Sequence, residues 1–288
     1  MSAPKGRIVQ FDETLGTGIS LGLDITETLH EEGDGPQRLA IYDSASFGRV
    51  LALDGICQLT ERDEFIYSEM LAHVPIVAHG ATHDVLIVGG GDGAVLEEVL
   101  KHRDVARATL VEIDDRVVEL SKRFLPNVCG AAFDDDRTEV VIADGAVFLA
   151  GTDRRFDVII VDSTDPVGPG KALFRSNFYV GCARALKPGG ILVTQNGVPL
   201  VQGDELRSAM ARLRPRFADV SCYLATVPTY VGGPMAFGWA SDDRAARATD
   251  LGTLEGRWLA AGVTARYYTP AVHAAAFALP GYVAALLG

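Results

Sequence analysis

From residue 84 the chain alternates an apolar run of strand length with a helical segment, and few folds accept that succession. Strands are expected over 85–88, 108–111, 139–142, 158–161 and 191–195. Helices are expected over 94–101, 116–124 and 177–186, with a short one after Gly145. Lys187-Pro188-Gly189-Gly190 is read as the stop of the last helix before the next strand. Repeated βα units of this kind specify a parallel, doubly wound α/β sheet. Short strands near 220–226 and 235–240 are read as antiparallel additions to it.

The first 80 residues follow a different pattern. Strands are expected over 19–28, 38–43, 48–53 and 56–59, with turn signals at Gly33-Asp34-Gly35-Pro36 and Asp54-Gly55. A two-residue Asp-Gly loop predicts a hairpin between the last two. Residues 62–77 carry Phe65, Met70, Leu71 and Val74 at helical spacing, ending near Pro75. The fold class expected is therefore a small N-terminal antiparallel β domain over 1–80, then a doubly wound, Rossmann-like domain of methyltransferase type over 81–288.

In such sheets ligands bind beyond the carboxyl ends of the strands, and those ends carry acids. The first strand runs into Gly89-Gly90-Gly91-Asp92-Gly93, where glycines permit a tight turn and close backbone approach at a helix N-terminus. Gly89, Gly91 and Ala94 satisfy a dinucleotide pattern, and Gly89, Gly91 and Gly93 suit an S-adenosyl ligand equally well. Glu112 ends the second strand and serves a ribose diol in either reading. Asp144-Gly145 ends the third, where an adenine amino group has a natural partner, although a plain helix N-cap is the competing explanation. The fourth strand ends in Asp162-Ser163-Thr164-Asp165-Pro166-Val167-Gly168-Pro169-Gly170, a breaker-rich loop with two carboxylates three residues apart.

Asp92 separates the ligand classes. A carboxylate in the glycine loop repels a phosphate, and repels the carboxylate of S-adenosylmethionine, while attracting a bare ammonium. Asp92, Glu112, Asp144 and Asp162 at four successive strand ends imply a ligand that is cationic and rich in hydroxyl and amino donors. A net charge of −12 fits this, since it attracts cations and disfavours nucleic acid. Four scattered cysteines, Cys57, Cys129, Cys182 and Cys222, read as reduced core thiols, and neither they nor the six histidines have metal-ligand spacing. No apolar stretch approaches a membrane span and no apolar leader follows Met1, so a cytoplasmic protein is expected.

These residues resemble the bacterial spermidine synthases, the polyamine aminopropyltransferases, over nearly the whole chain from about residue 42. The likeness rests on Gly48-Arg49-Val50-Leu51-Ala52-Leu53-Asp54-Gly55, Gln58, Glu61-Arg62-Asp63-Glu64-Phe65-Ile66-Tyr67 and the glycine loop. It continues through the 162–169 loop, Gln195-Asn196-Gly197 and Pro228-Thr229-Tyr230. The resemblance implies transfer of an aminopropyl group from decarboxylated S-adenosylmethionine to a diamine, usually putrescine, with release of 5′-methylthioadenosine. It implies no metal or other cofactor. On the donor side it implies Glu112 at the ribose, Asp144 and Gly145 at the adenine, Asp92 at the amine, and contacts from Gln58 and Pro169. On the acceptor side it implies Asp162 as proton acceptor, with Asp165, Tyr67 and Tyr230 orienting the diamine and the 162–170 loop closing over both substrates.

The chain departs from that family at Ser68, where bacterial members usually carry His and some others Gln, and in an N-terminal segment whose nearest aromatic is Phe11 rather than tryptophan. Both changes fall on the acceptor side. Two other readings are an amine N-methyltransferase using intact S-adenosylmethionine, disfavoured by Asp92, and a non-catalytic polyamine-binding module. The edges of the small N-terminal sheet need cover, and the resemblance implies subunit pairing through that region, so a homodimer or homotetramer is expected.

Overall fold

The computed structural model describes residues 9–16, 19–163, 173 and 176–288. Its N-terminal part is a five-stranded antiparallel meander in the order of the chain, β1 (Val9–Gly16), β2 (Ile19–Glu32), β3 (Leu39–Ser44), β4 (Gly48–Leu53) and β5 (Ile56–Thr60). Asp54 and Gly55 join β4 to β5 with φ of 52° and 78°. Positive φ at both loop positions is the signature of a type I′ hairpin, as the Asp-Gly pair predicts. The first strand, β1, has no counterpart among the expected strands.

Side chains alternate across this sheet with the two-residue period of a strand. Leu39, Ile41, Leu51, Leu53 and Leu59 pack against Val117, Leu120, Leu125 and Val128 of the following part of the chain. Phe11, Leu23, Ile25, Ala40, Val50 and Ala52 form a separate cluster on the other face.

The linking helix α1 (Glu64–His79) is buried along nearly its whole length, which suits its lack of a polar face. Pro75 does not end it as expected. The stop comes at Gly80, which takes the left-handed conformation (φ 75°) and donates its N–H to the Ile76 carbonyl.

The second sheet has seven strands. Five are parallel: β6 (Asp84–Gly89), β7 (Arg107–Glu112), β8 (Thr138–Ile142), β9 (Phe156–Asp162) and β10 (Leu186–Gln195). The last two, β11 (Asp219–Ala225) and β12 (Met235–Ser241), join antiparallel, giving the order β11-β12-β10-β9-β6-β7-β8. Lys187-Pro188-Gly189-Gly190 lies inside β10 as an irregular stretch between its paired residues Leu186 and Ile191, not as a linker before the strand. Leu186 already pairs with Phe156, so pairing begins before the proline and resumes after the glycines.

Both sheet faces are covered. Val85, Ile87, Val158, Ile160, Ile191 and Val193 face α1 and α2 (Ala94–Leu100). Leu86, Val88, Ile159, Val161 and Leu192 face the opposite layer. Continuous apolar runs in the sequence are the consequence of this double burial. Around the sheet lie α3 (Asp115–Phe124), α4 (Pro126–Cys129), α5 (Gly145–Gly151), α6 (Ser176–Ala185) and α7 (Pro199–Leu213). The chain ends in α8 (Leu251–Ala261), α9 (Pro270–Ala276) and α10 (Gly281–Leu287). Five of these, α4 and α7 to α10, have no counterpart among the helices expected from the strand–helix alternation.

Among the described residues no single helix is long and apolar enough to cross a membrane. All four cysteines are free thiols.

Candidate active site

Chain direction makes the site. The first three parallel strands run outward from β6 on one side, and the chain then crosses back to β9 on its other side. The carboxyl ends of β6 and β9 therefore border a crevice at the switch point. Register places Gly89 directly beside Asp162.

The glycine loop does more here than admit a ligand. A Cβ on Gly89 would stand 2.0 Å from the Asp162 carbonyl oxygen, and one on Gly90 would stand 2.7 Å from the Asp162 carboxylate. At Gly91 it would meet the Glu112 carboxylate at 2.8 Å. Three bare backbones thus let two acids converge on the loop. A cavity of about 810 Å³ opens there. It is bordered by Tyr67, Ser68, Gln58, Asp92, Glu112, Asp144, Gly145, Asp162 and Tyr230, so every expected site residue that the structure describes shares one space. Asp165 and Pro169 lie outside the described residues, as does the loop over 164–172.

Each acid is held differently. Glu112 is buried; it accepts N–H groups from Gly91 (3.1 Å), Ile113 (2.7 Å) and Asp114 (3.0 Å). Burial outweighs these bonds and lifts its carboxyl to about 7. Asp92 accepts the Ala94 N–H at 2.9 Å, and burial raises its pKa despite that bond. Asp144 caps α5 through the N–H groups of Ala146 (2.7 Å) and Val147 (3.3 Å). The cap and the cavity position coincide, so the two explanations for Asp144 are not exclusive.

Asp162 accepts the Tyr67 hydroxyl at 2.6 Å. Burial pushes its carboxyl up to about 8, with the Asp92 and Glu112 charges adding to the rise and the Tyr67 bond opposing it. Tyr67 meets Tyr230 edge to face, ring centres 5.9 Å apart, and the Tyr230 hydroxyl donates to the Gln58 carbonyl. The Gln58 side-chain amide turns back to the Ile56 carbonyl at 3.1 Å.

Two distant motifs meet through Asp63. It accepts the Thr60 hydroxyl at 2.6 Å, and its other oxygen accepts both the N–H and the hydroxyl of Thr229 at 2.8 Å. A buried carboxylate so fully bonded fixes the 228–230 turn against the start of α1. That is how Tyr230 reaches Tyr67.

Further wall residues have no role assigned from sequence, although Glu64 and Gln195 lie in motifs that carry the family likeness. Glu13 on β1, Gln37 before β3, Glu64 on α1, Ile113 after β7 and Gln195 at the end of β10 all border the cavity. Glu64, Tyr67 and Ser68 stand at helical spacing i, i+3 and i+4, a signal that would have found Glu64. Gln37 and Glu13 had none, because only the fold of the meander brings them there. Among the described residues no group of three or more His, Cys, Asp or Glu side chains is arranged to hold a metal ion.

Comparison with known proteins places the chain in one family. Residues 64–250 match the family described as the spermine/spermidine synthase domain, and residues 9–61 match the spermidine synthase tetramerisation domain. A polyamine aminopropyltransferase of Ruegeria sp. (strain TM1040) is 56% identical over 271 residues, covering 94% of this chain and 95% of that protein. Polyamine aminopropyltransferase 1 of Pseudomonas aeruginosa is 53% identical, covering 96% and 97%. A crystal structure of spermidine synthase in complex with the transition state analogue AdoDATO superposes with a TM-score of 0.93 at 36% identity, covering 98% of this chain and 96% of that one. Spermidine synthase from Thermotoga maritima gives 0.91 at 36% identity, covering 98% and 95%. With this sheet, this crevice and these likenesses, the chain belongs to the spermine/spermidine synthase family.

Proposed function

We propose that the protein is a polyamine aminopropyltransferase that moves the aminopropyl group of decarboxylated S-adenosylmethionine to a diamine, putrescine first among acceptors. The Tyr67–Asp162 pair at the junction of an acid-lined cavity carries this reading. The donor already holds a sulfonium leaving group, so its chemistry calls for no metal or other cofactor. It calls for a neutral amine aligned behind the carbon–sulfur bond.

Asp162 takes one proton from the acceptor ammonium. The freed lone pair forms the new carbon–nitrogen bond, the carbon–sulfur pair returns to sulfur, and 5′-methylthioadenosine leaves as a neutral thioether. Glu112 holds the ribose hydroxyls, Asp144 and Gly145 the adenine, Asp92 the donor amine, with Gln58 beside the donor. Tyr67 and Tyr230 flank the acceptor with Ser68 at the junction. Asp165 anchors the far ammonium, and Pro169 contacts the donor.

The reading is tested by incubating the protein with decarboxylated S-adenosylmethionine and putrescine, cadaverine, agmatine or spermidine. Methylthioadenosine should appear. No release with any amine between about pH 7 and 10, where the neutral amine becomes available, would sink it.

Two substitutions separate the roles. Glu112→Gln removes the charge that orients a diol, so methylthioadenosine binding should weaken about tenfold or more, with kcat at saturating donor little changed. Tyr67→Phe removes the donor that favours ionised Asp162. Its kcat/KM should fall about tenfold, and the rising limb of its pH profile should move to higher pH. A limb that stays in place would show that the hydroxyl does not tune the base.

The match to a tetramerisation domain over 9–61 supports an oligomer, which we take to be a homodimer or homotetramer built on the meander. Four buried free thiols suit a reducing compartment, and we place the enzyme in the cytoplasm.

A further inference from the structure

We propose that Glu64, held by Ser68 one turn further along α1, is a second carboxylate for the ammonium at the tip of the donor's aminopropyl arm, and thereby selects the decarboxylated donor over its carboxylated parent. The proposal rests on the transferase reading above.

Glu64 begins α1, and both it and Ser68 border the cavity. The Ser68 hydroxyl lies 3.0 Å from a Glu64 carboxylate oxygen and 3.0 Å from the Glu64 carbonyl, so the side chain is folded back along its own helix. Ser68 itself is 1% exposed.

The surroundings of Glu64 ask for a cation. Burial raises its carboxyl to about 8, and the charges of Glu98 and Asp92 add to the rise. The Ser68 hydrogen bond and Arg266 oppose them, but the Arg266 guanidinium sits over the Phe65 ring, 3.6 Å from the centroid. Among the described residues no Lys or Arg forms an ion pair with Glu64. Glu64 borders the same cavity as Asp92, which receives the amine in the reading above. An arriving ammonium would be shared between the two carboxylates and would favour their ionised forms. Intact S-adenosylmethionine carries a carboxylate on the carbon that bears this ammonium. It would bring that charge against both acids, and like charges brought together reject a wrong partner.

The test is a calorimetric titration of the full-length wild type and Glu64→Gln with three ligands: decarboxylated S-adenosylmethionine, S-adenosylmethionine and 5′-methylthioadenosine, which lacks the arm. The preference of the wild type for the decarboxylated donor should fall about tenfold or more in the variant, with methylthioadenosine affinity held within about twofold. An unchanged preference with methylthioadenosine binding intact would overturn the proposal. So would a parallel loss for all three ligands, which assigns Glu64 to the nucleoside pocket, or a rise confined to the diamine KM. If Glu64→Gln lacks a cooperative melting transition, Glu64→Asp replaces it. The retracted carboxylate should cost about threefold in preference, and no change there overturns the proposal equally. A wild type that binds methylthioadenosine but prefers the intact donor would count against the transferase reading itself.

Discussion

Asp162→Asn is expected to lower kcat by about 10²- to 10⁴-fold, the range a positioned general base contributes, while leaving methylthioadenosine binding in place. The amide accepts the same Tyr67 hydroxyl, so the geometry at 2.6 Å survives while the capacity to take a proton is lost. The pH profile gives a sharper reading. In the free wild type the carboxyl lies at about 8, above its ordinary range, because burial and the Asp92 and Glu112 charges disfavour the anion. Base catalysis needs that anion, so kcat/KM should rise with pH through about 8. The variant should keep only the rise that belongs to the amine substrate. Stability moves the opposite way. Folded Asp162 keeps its proton where the unfolded chain has lost it, between the ordinary carboxylate range and about 8. Its contribution is therefore full at low pH and is lost as pH rises through that window. Asparagine has no such dependence, so the variant should melt no lower than the wild type at pH 8, and higher in the absence of ligand. A variant that melts well below wild type would show a structural role and void the inference from its kinetics.

The legibility of this protein in its sequence follows from where each element is buried. Strands β6, β7, β9 and β10 are covered on both faces, so they stand out as apolar runs, and their acid ends mark the crevice without further information. The meander is legible where alternation is clean and a turn is chemically specified, as at Asp54-Gly55. The exterior helices are not. In α8 only Leu254 is buried and in α10 only Val283, so no apolar face of helical period exists to be seen. Pro75 misleads because the cost of an interior proline, a missing N–H bond and a ring clash, is offset here by burial of the helix around it. Here α1 is enclosed on all sides and continues to a glycine that can turn left-handed. The site divides in the same way. Asp92, Glu112, Asp144 and Asp162 follow from strand position, whereas Glu13 and Gln37 enter the cavity only because the meander packs across the strand ends.

The glycine loop is where fold and chemistry depend on one atom, and Gly89→Ala tests it. Gly89 has φ of 83°, a region that costs an alanine roughly 1–2 kcal/mol. Gly55, with φ of 78°, bears the same penalty but has nothing within 4 Å of an added Cβ. At Gly89 the added atom would stand 2.0 Å from the Asp162 carbonyl oxygen, which is backbone in the neighbouring strand and cannot rotate aside. The ends of β6 and β9 must then part, adding an overpacking cost of about 1–3 kcal/mol. Gly89→Ala should therefore unfold in denaturant with a loss of roughly 2–5 kcal/mol, against about 1–2 kcal/mol for Gly55→Ala. The kinetic contrast should be larger. Moving Asp162 by about an ångström misaligns base and nucleophile, which can cost about 10²-fold in turnover, whereas Gly55→Ala lies on the hairpin and should leave kcat unchanged. Equal stability losses and equal rates in the two variants would mean that the close approach of the glycine loop to Asp162 does not position the base.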